Sequence, residues 1–146
     1  MTNTLFKIVA ALWVIWGLVH MLAGGMVMSL PSIEVVTAIA DKVAPAAVAN
    51  DVHHPAVGAI FNQHGFNLAW IGLVTTISAF FIFRQNTTAL WVAAMAGGLA
   101  DVGYFTFLDL GGYVKFLPGG MMTFVSGSAI LISAYIAWSR RRAETA

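Results

Sequence analysis

The chain has 146 residues, 60% of them apolar and only 9% charged, with a net charge of +1 and a mean hydropathy of +0.85. A soluble domain is about a quarter charged, so this composition is one for lipid, in a single domain. The near-neutral charge excludes a nucleic-acid surface, and the absence of Cys excludes disulfides, thiol chemistry, Cys-ligated zinc and iron–sulfur clusters.

A membrane-crossing helix needs roughly 20 mostly apolar residues. Four segments satisfy this: Leu5 to Met28, Pro55 to Phe83, Thr88 to Asp109 and Leu117 to Trp138. The first differs from a signal peptide. Lys7 is its only early charge, its core is long and carries Trp, and it has no clear small-x-small cleavage site. The expected fold is therefore an all-α integral membrane protein, with four transmembrane helices in an antiparallel bundle.

With four spans, both termini and the turn at Arg84–Thr87 share one side. That side carries Lys7, Arg84, Arg140, Arg141 and Arg142; the other carries Lys42 and Lys115. The positive-inside rule then places both termini in the cytoplasm, for a protein of the cell inner membrane. Two loops face outward. In the longer, residues 29–54, Ser32 reads as the N-cap of a short helix. Ile33, Val36, Ile39, Ala40 and Val43 give that helix one apolar stripe, and Pro45 ends it. Such a helix lies on the membrane surface or caps the bundle. The second loop, 111–120, is Gly-rich turn chemistry with aromatic anchors.

Polar residues then align in depth. His20 lies eight residues inside the first span, His64 nine inside the second, Asp101 eight inside the third and Ser126 nine inside the fourth. At 1.5 Å of rise per residue, each sits roughly 12–14 Å below the outer edge. Asn67 is one turn from His64, and Tyr104 one turn from Asp101, so each pair shares a helix face. A carboxyl near mid-span is a functional hypothesis by default. The expectation is an outward-facing pocket in which His20, His64 and Asp101 meet, with Asn67 and Tyr104 close by. Ser126 carries little weight, because it can bond its own helix. The five Trp and ten Phe read as lipid-facing or core.

Three function classes follow. In the first, the pocket binds a metal, a haem or a small amphipathic ligand. His20, His64 and Asp101 would be the metal ligands, or the two His would hold haem iron from both faces. In the second, the protein is a membrane enzyme on a lipid-soluble substrate, with His64 and Asp101 as acid–base groups. In the third, it is an accessory or assembly subunit of a larger membrane complex, or a homo-oligomer, and the polar layer joins helices. In size and hydropathy alone, the outline resembles small four-helix bacterial membrane proteins of the DoxX-like kind; no motif carries a function across.

Overall fold

The computed structural model describes residues 2–115, 117 and 119–144. The described residues form six α-helices: α1 (Thr2–Ser29), α2 (Ser32–Ile39), α3 (Pro45–Val48), α4 (Pro55–Phe83), α5 (Thr87–Tyr104) and α6 (Gly119–Glu144). A π-helical turn, Phe105–Asp109, extends α5. Among the described residues there is no strand, and four helices are long and apolar enough to cross a membrane: α1, α4, α5 with its π turn, and α6. The chain is thus a small multi-pass membrane protein. The described prolines, at 31, 45 and 55, fall outside the interiors of these helices, where a missing N–H would break the ladder. Phe116 and Pro118, part of the second loop as read from sequence, lie outside the described residues.

Two seams build the bundle. The first joins α1 to α4. Ala10, Gly17 and Gly24 recur every seven residues on α1, and Gly65, Gly72 and Ala79 do so on α4. The helices run antiparallel, so Gly17 meets Gly72 and Gly24 meets Gly65. A Cβ built on Gly65 would fall 2.8 Å from the Gly24 carbonyl oxygen, and one on Gly72 would fall 2.8 Å from the Met21 nitrogen. Only a hydrogen at these positions lets the backbones approach so closely. Ala10 and Ala79 extend the seam and are both buried.

The second seam faces α5 and α6. Phe6, Val9, Trp13, Trp16, His20, Ala23 and Val27 are spaced alternately three and four residues apart, the period of a left-handed bundle seam. Phe6, Val9, Trp13 and Trp16 are fully buried, packed with Ile82, Leu90, Ala93 and Ile136. The half of the seam near the termini is apolar. The half near the long loop turns polar at His20, where Asp101 and Ser126, both buried, come in from α5 and α6.

Side chains close the ends. Asn86 caps α5, its Oδ1 accepting from the Ala89 N–H at 3.0 Å. Arg140 of α6 donates to the carbonyl and to the side-chain oxygen of Gln85 (3.2 and 3.0 Å), and its guanidinium lies 4.6 Å over the Phe6 ring. Pro55 opens α4 behind the N-cap His54, whose Nδ1 accepts from the Ala56 N–H.

The long loop contains the expected short helix, but Ser32 is not its cap. Pro31 holds that place, with no side-chain hydrogen bond, because α2 begins a residue earlier than the Ser32 reading requires. Its deepest side chain is Val35, fully buried and off the predicted stripe. Past Pro45 the chain makes one further helical turn.

The loop is strapped to the connection between α5 and α6. The Lys115 N–H donates to Asp41 Oδ1 at 2.6 Å, the Lys42 N–H donates to the Tyr113 carbonyl at 3.1 Å, and Lys115 Nζ lies 4.0 Å from Asp41 Oδ2. Exposed pairs of this kind contribute little stability. Asp41→Ala should therefore cost no more than about 1 kcal/mol. The same change should speed amide exchange through residues 32–43. Unchanged exchange would show that the strap does not hold the loop.

Candidate binding site in the polar half of the bundle

Asp101 projects from α5 into the bundle, where it is 6% exposed. The Trp16 indole Nε1–H donates to Oδ2 at 2.8 Å, linking α1 to α5. The Ser126 hydroxyl on α6 stands near the carboxylate and gives its proton to the Thr123 carbonyl at 3.1 Å. A buried carboxylate needs such partners, because removing a charge from water is costly. The other oxygen, Oδ1, faces His20 Nε2 at 3.9 Å, beyond hydrogen-bond length.

His20 is held on both sides. Its ring stacks on the Trp16 indole, with centroids 3.6 Å apart and planes 15° from parallel. Its Nδ1 lies 2.8 Å from the Trp16 carbonyl. A carbonyl can only accept, so Nδ1 carries the proton. In the neutral ring Nε2 is then a bare acceptor, and it faces Asp101. Trp16 is thus the common support of both groups. Its ring positions the imidazole and its N–H holds the carboxylate.

Two cavities meet at this pair. The smaller, about 180 Å³, is lined by Val19, Ala38, Asp41, Lys115, Gly119 and Met122 and lies beneath the strapped loop. The larger, about 460 Å³, lies between α4 and α5 and is lined by Leu68, Leu99, Phe107 and Leu108, with His64 also on its wall. His20, Ala23, Ile39, Asp101 and Tyr104 belong to both linings. Leu99 and Phe107 are 67% and 74% exposed, so the larger cavity gives onto the face that lipid would cover.

The π turn helps to shape this wall. Leu110 N–H reaches back five residues to the Phe105 carbonyl at 3.0 Å, and the widened turn follows directly on Tyr104. Such turns interrupt a helix where a site needs room. Tyr104 packs against the start of α6, where its ring occupies the space a Cβ on Gly119 would take.

Of the residues singled out from the sequence, His20 and Asp101 come together and Tyr104 joins them on the cavity wall. His64 lines the larger cavity but is itself exposed. Among the described residues, no group of three or more His, Asp or Glu is placed to hold a metal ion. The expected ligand trio of His20, His64 and Asp101 is therefore not assembled, because His64 stays at the cavity mouth on α4 while the His20–Asp101 pair is built between α1 and α5. Asn67 lines neither cavity. Its Oδ1 accepts from the Trp70 indole one turn along α4, at 3.0 Å, which draws it along its own helix.

Trp16 was the residue missed. Its signal was its i, i+4 relation to His20 on the three–four seam of α1, which puts both on one buried face. Ser126 bonds its own helix through the Thr123 carbonyl, as the sequence allowed, while standing near Asp101.

Comparison of the chain with protein families, with curated proteins and with solved structures returns no match.

Proposed function

We propose that this protein binds a small amphipathic molecule drawn from the membrane, with its polar end at His20, Asp101 and Tyr104. The observation that carries the reading is the junction of the two cavities. A pair of acceptors, Asp101 buried and His20 partly buried, forms part of the wall of an apolar chamber that opens sideways between α4 and α5. Ligand pockets are commonly apolar chambers with a few convergent polar groups. The size suits a small molecule, and the position suits access from the bilayer. The metal reading has less support, since only His20 and Asp101 of the trio come together. His20 and Asp101 as an acid–base pair, with the Tyr104 phenol beside them, would make the same chamber catalytic, but among the described residues no Ser or Thr nucleophile lines either cavity.

The charge asymmetry supports an orientation with the termini inside and the chamber in the outer half of the cell membrane. Lys7, Arg84 and Arg140–Arg142 lie at one end; Lys42 and Lys115 lie at the other.

Gly103 supplies the test. It lines the larger cavity, and a Cβ built on it meets nothing within 4 Å. Gly103→Leu should fill the chamber without disturbing the backbone. Native mass spectrometry from mild detergent, after incubation with a total bacterial lipid extract, should show a retained small adduct on the wild type. The variant should lose that adduct while melting at the same temperature. An adduct unchanged in Gly103→Leu, or no retained adduct on the wild type, would reject the reading.

A further inference from the structure

The acceptor pair also limits what the ligand's polar end can be. With its Nδ1 proton on the Trp16 carbonyl, neutral His20 offers a lone pair at Nε2. Asp101 offers Oδ1, its other oxygen being taken by the Trp16 indole. Two acceptors 3.9 Å apart do not satisfy one another. A group with at least two N–H or O–H bonds on one atom can satisfy both. A donor about 2.8 Å from each acceptor would see them at an angle of about 90°, about 20° narrower than the tetrahedral N–H spread, so that each bond bends by only about 10° from linear.

Charge selects among such donors. Asp101 is 6% exposed, and the donor bonded to it, the Trp16 indole, is neutral. No Lys or Arg pairs with it among the described residues, and Lys115, on the wall of the smaller cavity, is paired with Asp41. An alcohol brings one proton and no charge. A carboxylate brings like charge. A protonated primary amine brings a full positive charge and three donors.

We propose that the ligand is a lipophilic primary amine, its ammonium nitrogen bridging His20 Nε2 and Asp101 Oδ1. A third N–H points toward the Tyr104 side of the site, and the apolar body occupies the chamber between Leu68, Leu99 and Phe107. This assignment rests on the amphiphile-binding reading and adds the chemical class.

The test is isothermal titration of the purified full chain in mild detergent with three probes sharing one apolar body: 2-phenylethylamine, 2-phenylethanol and the N,N,N-trimethyl derivative of the amine. The amine should bind tightest, by roughly tenfold to a hundredfold over the alcohol, the range of a charge-assisted hydrogen bond. The quaternary probe keeps the charge and has no N–H, so it should bind more weakly than the amine. In Asp101→Asn the amide N–H₂ can itself donate to His20 Nε2, and the amine's advantage over the alcohol should disappear. An alcohol that binds as tightly as the amine in the wild type would overturn the class and leave amphiphile binding standing. A quaternary probe equal to the amine would overturn the two-acceptor bridge. Saturable binding of none of the three, together with no lipid adduct, would remove the underlying reading itself. The wild-type comparisons decide the matter even if the variant folds poorly.

Discussion

Gly72→Leu is expected to leave little folded monomer in detergent. The backbone of α1 stands where the new side chain would begin, since a Cβ at residue 72 falls 2.8 Å from the Met21 nitrogen. Backbone atoms cannot rotate aside, so the helices must separate. Overpacking of a tight core costs about 1–3 kcal/mol and occasionally more, and a backbone clash belongs at the top of that range. Separation at Gly72 would also loosen Gly65 against Gly24, because one pair of rigid helices carries both contacts. Gly25→Leu is the control: no atom lies within 4 Å of its Cβ, and Gly25 is exposed. Size-exclusion profiles and thermal melts should separate the two variants widely. Equal melting would mean that the close approach of α1 and α4 is not what holds the bundle.

Asp101→Leu should have the second largest effect, and it should act on two readouts at once. Ligand binding should be lost, since the charge and one of the two facing acceptors are gone. Stability should fall by about 1–3 kcal/mol, the cost of leaving a buried donor, here the Trp16 indole N–H, without its partner. The double variant Trp16→Phe/Asp101→Leu separates these effects. Removing both partners of a buried polar contact is far milder than removing one. The double variant should therefore regain much of the lost stability and none of the binding. Additive losses would show that Trp16 and Asp101 are not energetically coupled, contrary to their 2.8 Å contact. The size of the recovery also measures the hydrogen bond against a low expectation, since interhelical bonds in membranes average about 0.6 kcal/mol.

The four long helices were legible in the sequence because lipid requires an unbroken apolar run, and prolines fall between those runs or at their first residues. That His20 and Asp101 stand together follows the reading from depth, which also called for His64, exposed on α4, and gave Ser126 little weight. Depth gives no rotation, however. Asn67 and His64 sit within a turn of each other on α4, yet one bonds to Trp70 and the other reaches the cavity mouth. What decided this was how α4 turns against α1. The turning is set by Gly65 and Gly72, whose seven-residue spacing was readable but is informative only beside Gly17 and Gly24. Trp16 escaped for a different reason. An indole in an apolar helix reads as bulk, and its single N–H becomes chemistry only when a carboxylate stands opposite.

The division of the bundle into two seams also sets an order of assembly. The glycine seam joins the first two membrane-crossing helices of the chain, so that hairpin can close while the rest is still being synthesised. His20 and Trp16 would then wait on its surface, with the indole N–H and the imidazole facing lipid. Arrival of the second hairpin brings Asp101 and Tyr104 together with them, and only then is the chamber walled. A chain whose second hairpin inserts in the wrong register parts the Asp101 carboxylate from the Trp16 N–H and leaves it in hydrocarbon, where an unpaired charge is costly.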